Sequence, residues 1–203
     1  MKPEVFAFQY ELASEGTCVA VALQNSIAAV ACRLRISPMI VRAIYRHSLD
    51  DPQARKTSSE AIGRIVDEMN RLWSPDPSST GSRFRVSVSH LIGAEVNLSD
   101  TGRVSEALSR GGSAMLLLNW PRSTKHAITL LKMNETHLWG FDSRLRLYYK
   151  PPAREGVTFL GKPGQTRQAN FRILTELAGS EDDSKWGTLG SIPNREAVTL
   201  VPL

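Results

Sequence analysis

The stretch Glu15-Gly-Thr-Cys-Val-Ala-Val-Ala-Leu-Gln-Asn-Ser-Ile-Ala-Ala-Val30 constrains this chain more than any other. Ala20, Leu23, Ile27, Val30 and Leu34 recur at alternating spacings of three and four, which is one face of a helix. Val21, Ala22, Ala28 and Ala29 make most of the remaining surface apolar, so the helix is expected to be central and buried. Gly16 and Thr17 stand where a cap belongs, and Thr17 offers an oxygen to the unpaired amides of the first turn. Cys18 then falls at the positive end of the helix dipole, where a neighbouring cation favours the nucleophilic thiolate. A lone cysteine on an apolar helix is more often a small buried hydrophobe, so position alone assigns no chemistry. Cys32 is the internal comparison: deep in the same helix, away from free amides, it is expected to be inert. On one helix the two sulfurs would stand about 21 Å apart and could not bridge.

A length of 203 residues suits one domain with a sizeable core. The hydrophobic content of 41% and charged content of 22% are those of an ordinary globular chain. Gln24, Asn25 and Ser26 interrupt the longest apolar run, so no membrane span is expected. Met1-Lys-Pro-Glu-Val-Phe6 lacks the apolar core of a cleaved secretory signal, which points to synthesis in a reducing cytoplasm. The net charge of +5 is spread over scattered arginines, among them Arg33, Arg64, Arg103 and Arg146, with no aromatic-interleaved basic motif. Nucleic acid is therefore not an expected partner, and an acidic protein surface fits the charge equally well.

Helices dominate the first part. Ser37-Pro38 opens a second helix with Ile40, Val41, Ile44 and Tyr45 on its inner face, closed by Asp50-Asp51-Pro52. Thr57-Ser-Ser-Glu60 has the capping-box pattern, ahead of Ile62, Ile65, Val66, Met69 and Trp73 at helical spacing. The polar stretch Ser74 to Ser82 marks the change to a strand-rich remainder. There, Phe84, Val86 and Val88 alternate with polar residues, and Asp100 is placed to cap a short helix that Gly111-Gly112 terminates. Ala114–Leu118, His126–Leu131, His137–Asp142, Leu145–Tyr149 and Ala197–Val201 read as strands, and Pro151 to Gly164 as a loop. The fold class expected is α+β. A helical lobe (about 1–73) carries the central Cys-bearing helix and packs on a meandering antiparallel sheet lobe (about 84–203), all in a single domain of 1–203.

Nucleophilic thiol chemistry needs a base and a group to orient that base. His126 follows the polar loop Pro121-Arg-Ser-Thr-Lys125 and opens a strand, so its ring is expected to project from a sheet edge. Asp142 ends the next strand. A hairpin centred near Asn134 places the two beside each other, and a register error of two residues leaves them neighbours. Either could instead be a plain strand-end or turn residue. His47, His90 and His137 fit the role less well by position. There is no His-x-x-x-His or paired-cysteine spacing and no glycine-rich phosphate loop, so neither metal nor cofactor is expected.

Gly16-Thr-Cys18 opening a helix, His126-Ala-Ile opening a strand and Phe141-Asp142-Ser143 closing the next resemble the papain-like (clan CA) cysteine proteases. The order Cys, His, Asp and the short His-to-Asp interval are most similar to the YopT/AvrPphB-type bacterial effector proteases and to related papain-like interbacterial toxin domains. The resemblance covers roughly residues 5 to 150. It implies a papain-like fold, with Cys18 as nucleophile, His126 as base and Asp142 as orienter. The aromatic residue that often follows the family nucleophile is missing here. Where the family carries its side-chain oxyanion donor, a short way upstream of the cysteine, this chain has Leu12 and Ala13. Gln9 is the nearest upstream amide and the candidate donor, alongside the Cys18 backbone amide.

The function the resemblance implies is an effector or toxin endopeptidase, made in a bacterial cytoplasm without a cleaved signal peptide. A secretion system would deliver it into a host or competitor cell. Its partners would be a protein substrate and a cognate immunity or inhibitor protein. The same triad also serves a glutamine deamidase, a transglutaminase or an acyltransferase, which share the thioester intermediate. A non-catalytic protein-binding adaptor is the remaining alternative.

Overall fold

The computed structural model describes residues 17–31, 36–50, 56–73, 85–120, 124–144, 155–160 and 168–203. Among these, five helices and seven strands form a mixed α/β fold: α1 (Cys18–Val30), α2 (Pro38–His47), α3 (Ser59–Trp73), β1 (Val86–Ile92), α4 (Arg103–Ser109), β2 (Ser113–Trp120), β3 (Thr124–Met133), β4 (His137–Phe141), β5 (Val157–Phe159), β6 (Phe171–Leu174), α5 (Thr175–Gly179) and β7 (Glu196–Pro202). The strands make one antiparallel sheet in the order β1-β7-β2-β3-β4-β6-β5.

Alternation along the strands divides the core into two layers. On one face Met115, Leu117, Ala127 and Val198 pack with Leu23 and Ile27 of α1, Ile44 of α2 and Ile65 and Met69 of α3. On the other face Leu116, Leu118, Ile128 and Ala197 pack with Val104 of α4 and Ala178 of α5. Leu23 and Ile27 are fully buried, each contributing on the order of 2 kcal/mol of hydrophobic stabilisation. α1 is buried nearly all round, including Gln24, Asn25 and Ser26. Two hydroxyls from the sheet bond its carbonyls: Thr129 Oγ1 donates to Ala22 O at 3.0 Å, and Ser113 Oγ donates to Ser26 O at 2.8 Å. These bonds tie the helix to β3 and to the start of β2.

Several expectations are corrected. α1 spans Cys18–Val30 with Ala31 as its C-cap, and Cys32 and Leu34, expected on the same helix, lie outside the described residues. Thr17 makes no side-chain cap, because its backbone (φ −83°, ψ 14°) is not in the extended region that aims a cap oxygen at the first-turn amides. On α2 the buried residues are Ile40, Ala43 and Ile44, whereas Tyr45 is exposed. Ser58, not Thr57, caps α3, accepting from Ala61 N at 3.1 Å. Gly102, not Asp100, stands at the N-cap of α4. β1 runs on past Ser89 to Ile92 and includes His90.

The sheet is not a simple meander. Among the described strands, β2-β3-β4 and the β5–β6 pair join chain neighbours, β7 inserts between β1 and β2, and β6 separates β4 from β5. β5 forms within the stretch read as a loop. The strand expected at Leu145–Tyr149, the segment before Thr17 and the polar stretch from Ser74 to Ser82 lie outside the described residues.

Candidate active site

β2 and β3 pair in strict register, with Leu118 opposite His126 and Lys125 opposite Asn119. His126 is therefore a sheet-interior residue near the start of β3, not one projecting from an edge, and it is fully buried. β3 pairs with β4 through Thr129–Phe141 and Leu130–Gly140, then shifts by a residue at a bulge between Leu130 and Lys132. Continued by one residue, that register sets Asp142 opposite Ile128. His126, two residues before Ile128 on the same face, becomes the diagonal neighbour of Asp142. The structure brings the pair together: His126 Nε2 lies 2.7 Å from Asp142 Oδ1.

Asp142 is held as tightly as its partner. It stands one residue beyond β4 and opens an Asx turn, its Oδ1 also accepting from Arg144 N at 2.8 Å. Its main chain, past the end of the ladder, is bonded by the side chain of Asn170. Asp142 N donates to Asn170 Oδ1 at 2.9 Å, and Asn170 Nδ2 donates to Asp142 O at 2.8 Å. Asp142 also borders a small apolar void of about 10 Å³, shared with Leu118, Ile128, Phe159, Phe171, Ile173 and Trp186, with room for one water at most.

Cys18 heads α1, one turn before the Ala22 carbonyl that Thr129 anchors to β3. Its side chain is buried, about 9% exposed, and lies close enough to the His126 imidazole to help raise its pKa. An ionised carboxylate only accepts, so Nε2 carries the proton toward Asp142 and Nδ1 is the ring nitrogen turned away from the carboxylate. Burial by itself pulls the imidazole pKa down. The Asp142 charge and hydrogen bond, with a smaller contribution from Cys18, outweigh it and raise the pKa to about 10. At neutral pH His126 is accordingly an imidazolium, the cation that favours a thiolate beside it.

The other histidines are engaged elsewhere. His47 Nε2 lies 2.9 Å from Glu68 Oε2, His90 Nε2 lies 2.6 Å from Glu196 Oε1, and His137 Nδ1 lies 3.0 Å from Thr136 Oγ1. Gln9, the candidate oxyanion donor, lies outside the described residues. The amides of the first turn of α1 are the donors that α1 itself offers an oxyanion. Among the described residues, no group of three His, Cys, Asp or Glu is placed to hold a metal ion. No described helix is long and apolar enough to cross a membrane. A cavity of about 810 Å³ between Gly156, Leu174, Leu177 and Trp186 is lined by none of the three site residues.

Sequence reasoning did not find Asn170. Its only signal was an amide directly before the short alternating stretch Phe171-Arg-Ile-Leu174, itself not read as a strand. No protein-family model matches the chain, and no curated protein matches it.

Proposed function

We propose that the chain is a papain-like cysteine endopeptidase in which Cys18 attacks a peptide carbonyl, His126 serves as acid and base, and Asp142 orients the ring. The observation that carries this reading is the linked arrangement of a helix-heading thiol, a buried imidazolium and a carboxylate 2.7 Å from it. In the attack, the Cys18 sulfur forms a bond to the carbonyl carbon. The imidazolium then protonates the leaving amine, and a water deprotonated by His126 releases the acyl-enzyme. Asp142 keeps Nε2 protonated, so in this reading Nδ1 is the nitrogen that exchanges its proton. A central helix bearing the nucleophile, packed on an antiparallel sheet bearing base and orienter, agrees with a papain-like arrangement. Action on a protein of a host or competing bacterium follows from the resemblance to effector proteases.

The test compares wild-type protein with Cys18→Ala, each incubated with lysates of candidate target cells and read by mass spectrometry of new N-termini. New N-termini made by the wild type and missing with Cys18→Ala are the expected result. A mass gain on glutamine without any new N-terminus would replace the protease with a deamidase. New N-termini that persist with Cys18→Ala would refute the assignment of the nucleophile.

A further inference from the structure

Asp142 sits where the sheet stops supporting it. β4 ends at Phe141, so the Asp142 amide and carbonyl leave the ladder in a buried environment, where unpaired backbone groups are costly. β4 pairs with β6 as far as Gly140–Phe171, and Asn170 N extends that pairing by donating to Gly140 O at 2.9 Å. On its other side, Asn170 O accepts from Leu160 N at 2.9 Å. The backbone of Asn170 is thus fixed on both sides, and its side chain is buried. From that fixed point the carboxamide makes two bonds to Asp142, one as acceptor and one as donor, which is what a strand neighbour would have supplied.

We propose that Asn170 is a positioning residue for the Cys18–His126–Asp142 site, its carboxamide standing in for a missing β-strand and fixing the Asp142 carboxylate against His126. The inference rests on the proposed role of those three residues. The chemistry of the side chain is specific. Alanine leaves one amide and one carbonyl unpaired, aspartate removes the donor, and glutamine carries the amide one methylene too far. Asn170 touches no substrate in this role. It acts through the χ angles available to Asp142, since a carboxylate on a wandering main chain cannot hold a fixed line to Nε2. Misplacement on the scale of an ångström suffices to spoil such a line.

The experiment is an NMR titration of the His126 ring nitrogens in the wild type and in Asn170→Ala, with the rate of Cys18 alkylation by iodoacetamide read on the same samples by peptide mass spectrometry. The wild-type ring is expected to stay doubly protonated to about pH 10. In Asn170→Ala its midpoint is expected to fall by about one pH unit or more as the carboxylate moves off line. Cys18 alkylation is expected to slow by about tenfold to a hundredfold. A residue that only supported the fold would lower the melting temperature and leave the ring titration of the folded protein where it was. That result overturns the proposal. If Asn170→Ala does not fold, Asn170→Ser keeps one hydroxyl able to serve one of the two backbone groups. It should give an intermediate midpoint, and a wild-type midpoint in it overturns the proposal equally. A wild-type ring that titrates near its ordinary value of 6.5 would instead remove the site reading itself, and this inference with it.

Discussion

At the scale of single residues, the site turns on a fully buried histidine that stays charged. Its folded pKa of about 10 lies above the ordinary value of 6.5, so between those limits the folded chain binds more protons than the unfolded one. Stability therefore falls as pH rises through that window, and the contribution is fully present below pH 6.5. Urea unfolding at a series of pH values should show that decline in the wild type and a flatter profile in His126→Gln. An equal slope in both would assign the dependence to other groups. The His126–Asp142 proximity was legible in the sequence because a hairpin is local. Sixteen residues separate the pair, and the turn at Asn134 fixes their register to within two positions. Asn170 was not legible. It lies 28 residues from Asp142, across segments whose pairing no local pattern sets.

Between elements, the site depends on how closely β6 approaches β4. A Cβ on Gly140 would lie 2.6 Å from Cζ of Phe171, well inside contact distance, so glycine is required for the ring to lie across the strand. Gly140→Ala should push β6 away, loosen the Asn170 clamp and cost about 1–3 kcal/mol. Cys18 alkylation should slow along with the loss of stability. Unchanged stability and unchanged alkylation together would show that the two strands do not pack as described. Elements with long periodic patterns were readable: α1 from its apolar face, and α3 from Ile62, Ile65, Val66 and Met69. Short ones were not. β5 has three residues and β6 four, too few for a period to stand out from glycine- and proline-rich surroundings. The Thr17 cap failed for a different reason. Residue type favours a cap, but the backbone conformation decides whether the oxygen can reach, and sequence does not give that conformation.

For the molecule as a whole, the decisive feature is the placement of the last strand. β7 lies between β1 and β2, with Val198 and Leu200 facing α1 and Ala197 facing the opposite layer. Ala197–Val201 could be read as a buried strand from its apolar run, but its insertion into the middle of the sheet is a long-range pairing that no local signal specifies. The position predicts a sharp contrast between nearby leucines. Leu200→Ala, at a fully buried site, should cost about 2–5 kcal/mol, whereas Leu203→Ala, at an exposed one, should stay within about 0.5 kcal/mol. Denaturant midpoints would report both, and comparable losses would contradict the central place of β7. The sheet joined through β7 is what carries β3, β4 and α1, and so the relation of Cys18 to His126.

That relation is tested most directly by the pH dependence of Cys18 alkylation in the wild type and in His126→Ala. Rapid alkylation well below pH 8 is expected in the wild type, and in His126→Ala a shift of the profile toward the ordinary thiol value of about 8.5. The two profiles superimposing would mean that thiol and imidazole do not act on each other, and the cysteine protease reading would fall.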